Sequence, residues 1–218
     1  MHLIGLALNF GTKAASAALF GLLLLIAFAV TAPMGSQEYY GFFRYDYLLF
    51  YALSIQVCLI YLKLESWAEA KVIALFHIMA MGMEIFLTHP AIASWQYPQP
   101  AVFKLLTVPL FAGFMYSAVG SFFARSLRLY KVSFENLPRF ANMLCLAVLS
   151  YLNFMTKFFI PDYRLVLFAW SIIIFWKTKL YFQLSDSRFK VPMLPILLLL
   201  AFLIWIAENI STFYKIWL

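Results

Sequence analysis

The chain reads as all-α, a polytopic transmembrane helix bundle with seven spans in a single integral membrane domain over residues 1–218. Three observations predict this. Only 11% of the residues are charged and 65% are apolar, whereas a soluble domain carries roughly 25% charged residues. Apolar runs recur along the whole length, which excludes a soluble body held by one anchor. The cations gather between the runs rather than in a patch, so the net charge of +7 reads as membrane flanks and not as a nucleic-acid surface.

The expected spans are 14–33, 44–62, 72–88, 105–124, 140–157, 164–181 and 192–212. The first opens after Lys13 and closes at Pro33; its Val30-Thr31-Ala32 end resembles a signal-peptidase site, but a long apolar stretch and the residues before Lys13 favour an uncleaved span. The second begins with Arg44 and Asp46, and the third carries His77 and Glu84. In the fourth, Gly113, Ser117 and Ser121 recur every four residues, a small-residue stripe that lets another helix approach closely. Asn153 lies near the end of the fifth, and the seventh closes with WIAENIST. No repeat of fixed period and no low-complexity linker divides the chain.

The basic residues set the orientation. Eleven lie on one side of these spans, among them Lys13, Lys63, Arg125, Arg128, Lys177 and Lys190, against five on the other, Arg44, Lys104, Lys157, Arg164 and Lys215. The positive-inside rule then gives a multi-pass protein of the cytoplasmic membrane with its N-terminus in the cytoplasm and Leu218 outside. Cys58 and Cys145 are isolated in apolar runs, and no HxxH or HxxxH pair exists, so no metal and no cofactor is expected.

With these helix directions the polar residues concentrate in the outer half of the bundle. Glu84 lies near the outer end of the third span and His77 seven residues deeper. In the seventh, Trp205, Glu208, Asn209 and Thr212 are spaced i, i+3, i+4, i+7 and share a face. Asn153 and Tyr116 are expected at the same level, with Arg44, Asp46, Trp95 and Tyr97 from the outer end of the second span and the outer loops. An ionised carboxylate at the bilayer centre costs on the order of 3 kcal/mol. Glu84 and Glu208 are therefore expected to turn inward and share one cavity. Glu84, Glu208 and His77 are the candidate acid–base groups; Asn209, Trp205, Asn153, Tyr116, Trp95, Tyr97, Arg44 and Asp46 are the candidate substrate contacts.

Several strings carry a resemblance: FRYDYLLF at 43–50, ALFHIMAMGMEIF at 74–86, SWQYP at 94–98, VPLFAGFMYSAVGS at 108–121, NFMTKFFIPDYR at 153–164 and IWIAENISTF at 204–213. Together they resemble the YoaT family of uncharacterised bacterial integral membrane proteins, from about Gly35 onward. The resemblance implies a further hydrophobic helix beyond this chain, hence eight spans with both termini inside, and it implies no activity. A fainter local likeness, a membrane Glu followed by an aromatic-Tyr-Pro loop and then VPL, resembles the membrane carotenoid hydratases.

Three functions compete on these grounds. One is acid–base chemistry on a lipid or isoprenoid, with two carboxylates in different environments as proton donor and charge stabiliser. Another is a non-catalytic membrane assembly or binding protein. The third, a small transporter, has no inverted repeat to support it. Membrane lipid is the expected partner in each, and nucleic acid in none.

Overall fold

The computed structural model describes residues 2–218, and side chains from residue 4. Its backbone is mostly helical, and its contacts divide it into two compact units, Phe10–Leu129 with Ile204–Leu218, and Tyr130–Leu203 with the first residues of the chain. α1 (His2–Ala17) begins in the second of these and ends in the first, where it leads to α2 (Leu19–Thr31) across a 65° bend at Ala18. Then come α3 (Arg44–Tyr61), α4 (Trp67–Leu87), a ribbon of β1 (Lys104–Leu105) and β2 (Val108–Pro109), and α5 (Ala112–Leu129). Phe20, Leu24 and Phe28 of α2 pack on Tyr45, Leu48, Ala52, Ile55 and Leu59 of α3, a stripe at i, i+3, i+7, i+10, i+14 that only a helix aligns.

Local chemistry sets the ends of these helices. Ser66 starts α4 with a capping box: its hydroxyl accepts from Glu69 N (3.2 Å), and Glu69 accepts from Ser66 N (2.7 Å). Asp46, in the first turn of α3, accepts from the backbone N–H groups of Phe43 (3.0 Å) and Phe103 (2.8 Å), pinning the 102–103 segment to that helix. The small-residue stripe of α5 packs against α4, as its spacing implies. A methyl at Gly113 would come within 2.5 Å of the His77 ring, and one at Gly120 within 3.2 Å of Phe76.

In the second unit, α6 (Phe140–Thr156) and α7 (Arg164–Phe175) form a hairpin. Beside it in sequence, β3 (Ser133–Glu135), β4 (Lys179–Leu184) and β5 (Ser187–Pro192) make an antiparallel sheet in the order β3-β4-β5. α8 (Met193–Phe213) begins in this unit and ends in the other.

Seven spans are not supported. Among the described residues two helices can cross a membrane by length and composition, α4 and α8, each of 21 residues, or up to three if α1 and α2 count as one bent span. The 44–62 segment is helical, but Arg44, Asp46 and Gln56 dilute its apolar character. The 105–124 segment opens as the β1–β2 ribbon, and the helix that follows runs on to include Arg125 and Arg128. The 17 residues of α6 and 12 of α7 are shorter than a span; they reach about 25 and 18 Å against a hydrocarbon core of about 30 Å. The 164–181 segment leaves the helix after Phe175 and enters β4, whose KLYFQL alternation followed by a Ser185–Asp186 turn was the available strand signal.

Candidate functional site: a carboxylate held by three aromatic donors

After α4 ends at Leu87, the chain turns back on itself. Thr88 bonds its hydroxyl to the Glu84 carbonyl (2.7 Å) and pairs with the Thr107 hydroxyl (2.6 Å), while Ser94 N donates to Leu87 O (2.9 Å). Gln96 and Leu218 exchange two backbone hydrogen bonds of 2.8 and 2.9 Å, which fix the returning strand of chain. This fold-back carries two aromatic side chains over the last turn of α4, and α5 brings a third.

All three converge on Glu84. The Trp95 indole Nε1 (2.8 Å) and the Tyr97 hydroxyl (2.9 Å) donate to Oε2, and the Tyr116 hydroxyl donates to Oε1 (2.8 Å). Glu84 is 1% exposed, and among the described residues no Lys, Arg or His lies within ion-pair distance of it. Hydrogen bonds to a charged group contribute about 1.5–3 kcal/mol each, so three of them offset the ~3 kcal/mol cost of an ionised carboxylate in hydrocarbon. Tyr97 stays a donor throughout the physiological range, because its own burial and then the adjacent Glu84 charge raise its phenol well above the ordinary value.

Of the residues expected at the site, the structure therefore brings together Glu84, Trp95, Tyr97 and Tyr116. It does not bring Glu208 to them. Glu208 is exposed on α8 and makes no side-chain hydrogen bond among the described residues, while its neighbours turn to their own helix: Asn209 donates to Trp205 O (2.7 Å) and Thr212 to Glu208 O (3.0 Å). Trp205 is likewise exposed. The expected common depth holds no information about which way a helix face turns. His77 packs its ring on Phe114 at 4.6 Å between centroids and against Gly113, and among the described residues no hydrogen bond links it to the Glu84 group.

Arg44 and Asp46 are spent on backbone. Arg44, 1% exposed, donates to the carbonyls of Phe28 (2.8 Å) and Tyr214 (3.0 Å) and to the Thr31 hydroxyl (3.1 Å), so one guanidinium serves the C-terminal ends of α2 and α8. Asn153 belongs to a different constellation in the α6–α7 turn, donating to Asp162 (2.9 Å) and accepting from Tyr163 N (2.8 Å).

A second buried polar group was not foreseen. Glu65, 2% exposed, accepts from Ser121 and from Gln56 Nε2 (2.6 Å), and Arg128 pairs with Glu69 at 2.7 Å. Arg125, 1% exposed, donates to Ser16 (2.9 Å). Counting Arg125 and Arg128 only as flanking charge hid them; the spacing of Ser121, Arg125 and Arg128 at i, i+4, i+7, which puts all three on one helix face, was the readable signal. Among the described residues no three His, Cys, Asp or Glu side chains converge as metal ligands would.

The family described as "Protein of unknown function (DUF817)" matches residues 7–218. The chain is similar to "Uncharacterized protein YoaT" of Bacillus subtilis (strain 168), with 35% identity over 219 residues that cover 100% of this chain and 80% of that protein. No solved structure matches it.

Proposed function

The chain belongs to the DUF817 family, and from that premise we propose that it is a multi-pass protein of the cytoplasmic membrane with a non-catalytic binding or assembly role. The observation that carries this reading is the enclosure of Glu84. Three protein donors take three of the roughly four acceptor sites of its carboxylate, and the side chain is buried, so no open face is left for a substrate. The carboxylate instead ties the 88–97 fold-back and α5 to the end of α4. The exposed apolar faces of α6, α7 and α8 support the membrane setting, and the eleven-to-five division of cations favours a cytoplasmic N-terminus.

Acid–base chemistry on a lipid or isoprenoid is the second reading, favoured by two phenols that share hydrogen bonds with one carboxylate. Glu84→Gln separates the two. A glutamine can keep Trp95 and Tyr97 on its carbonyl oxygen and donate its amide to a reoriented Tyr116 hydroxyl, but it cannot titrate. Under the structural role the variant melts within about 3 °C of wild type in detergent, and overproducing either chain leaves the same cellular lipid profile. A lipid profile that wild type changes and a well-folded Glu84→Gln variant does not would overturn the non-catalytic reading.

A further inference from the structure

The α6–α7 hairpin carries a groove of about 400 Å³ that the preceding reading does not use. On α6 and its C-terminal cap, Leu146, Ser150, Asn153, Phe154 and Lys157 follow one another at i, i+4, i+7, i+8, i+11; on α7, Arg164, Leu167, Phe168 and Ser171 do so at i, i+3, i+4, i+7. Each helix thus turns a single face to the groove, over about 16 Å along α6. The two ends differ in chemistry. Leu146, Phe154, Leu167 and Phe168 form an apolar trough, and Lys157, Asp162 and Arg164 stand at one mouth.

Charge at that mouth is unbalanced. Arg164 pairs with Asp162, with Nε at 2.6 Å from Oδ2, and Asn153 holds the same carboxylate from the α6 side. Lys157 has no acidic partner among the described residues; its ammonium rests 4.5 Å from the Phe154 ring centroid and 5.2 Å from that of Phe158. Two cations against one carboxylate leave one positive charge for an anion. The surroundings are apolar: Leu165 is 78% exposed on α7, and Phe159 is 67% exposed in the turn beside Ile160 and Tyr163. Aromatic residues beside a cation at a helix turn suit the headgroup level of a bilayer, and helices shorter than a span suit insertion from one side.

We propose that the α6–α7 groove seats an anionic phospholipid, its phosphate against Lys157 and Arg164 and an acyl chain along Leu146, Phe154, Leu167 and Phe168. The site rests on the membrane reading above but not on the role of Glu84. Its volume falls in the range of roughly 300–1,000 Å³ typical of ligand pockets, and the unmatched ammonium distinguishes an anionic from a zwitterionic headgroup. Asn153 is here a positioning residue: it keeps Asp162 turned to Arg164, so that Lys157 is left for the lipid.

The test uses the full chain extracted in detergent and offered equimolar phosphatidylglycerol and phosphatidylcholine, with bound lipid read by native mass spectrometry. Wild type should retain phosphatidylglycerol preferentially. Lys157→Gln should lower that retention about fivefold, the effect expected of one cation removed from a lipid phosphate, without altering phosphatidylcholine. Ser150→Trp, which fills the trough and leaves the charges alone, should displace both. Lys131→Gln, on the same unit outside the groove, should change neither. Equal retention of the two lipids by wild type, or equal losses from Lys157→Gln and Lys131→Gln, would overturn the groove while leaving the membrane reading intact. Recovery of the chain in the soluble fraction without detergent would overturn both.

Discussion

Glu84 and Glu208 are chemically the same group near the ends of two 21-residue apolar helices, and the structure treats them oppositely. Glu84 is buried under three donors; Glu208 is exposed with none. Nothing within α4 or α8 accounts for the difference. It comes from what arrives from elsewhere: the chain after α4 folds back with Trp95 and Tyr97, and α5 contributes Tyr116 across a close helix contact that Gly113 permits. Around Glu208 the available polar groups, Asn209 and Thr212, bond the backbone of their own helix and so are not donors to it. A carboxylate in an apolar helix becomes a fixed point of the fold only when other segments deliver donors to it.

The largest effect that can break this comparison is substitution of each carboxylate by leucine. Glu84→Leu strands three donors at once and should cost about 3 kcal/mol or more, read as thermal unfolding in detergent. Glu208→Leu should stay within about 0.5 kcal/mol of wild type, as an exposed position does. Equal losses would mean that Glu208 has partners of its own. Gly113→Ala should come next, at about 2 kcal/mol, because its methyl would enter the space of the His77 ring. Combining it with His77→Ala should give a smaller loss than the sum of the two single changes, since the clash is then gone. Additive losses would show that Gly113 matters for some other contact. Tyr116→Phe should cost less, about 1–2 kcal/mol, because Trp95 and Tyr97 still hold the other oxygen of Glu84. A loss as large as that of Glu84→Leu would place the weight of the cluster on α5 alone.

How much of this was legible beforehand differs between the units. Glu84, Trp95, Tyr97 and Tyr116 were all among the expected site residues, because a carboxylate in an apolar run needs polar partners, but the same argument also drew in Glu208, His77, Asn209, Trp205, Asn153, Arg44 and Asp46 and did not separate the four from them. Pairing Glu84 with Glu208 failed because residue counting gives depth along a helix and not the direction in which it faces. Hydropathy likewise found where apolar chain occurs but not where helices stop. It read through the β1–β2 ribbon before α5 and through the change from α7 to β4, since a short apolar run scores the same in hydropathy whether it forms strand or helix. Arg44 and Asp46 looked like site residues because they are charged beside an apolar run, yet each serves backbone groups that helix ends and loops leave unpaired.

The smallest expected effect sharpens the comparison with a third carboxylate. Asp162 is ordered like Glu84 but open to its surroundings, and a cation replaces the aromatic donors: Arg164 first, then Asn153 and the Arg164 backbone N–H, hold its carboxyl well below the ordinary value. A depressed carboxylate stabilises the turn fully above its unfolded-state value, roughly 3.9, and that contribution disappears as pH falls through the folded-state value. Protection of the Arg164 amide, which donates to Asp162 Oδ1 at 2.9 Å, should therefore be constant from neutral pH down to about 4 and decline below that, once corrected for the intrinsic exchange rate. Asp162→Asn should remove the decline and leave only a pH-independent, weaker protection. Loss of protection already near pH 6 would mean that the Arg164 pairing does not govern the turn. Because the pair is exposed, salt should weaken protection at neutral pH in wild type and leave Asp162→Asn unmoved. A salt response shared by both would assign the order of the turn to Asn153 and the backbone rather than to charge.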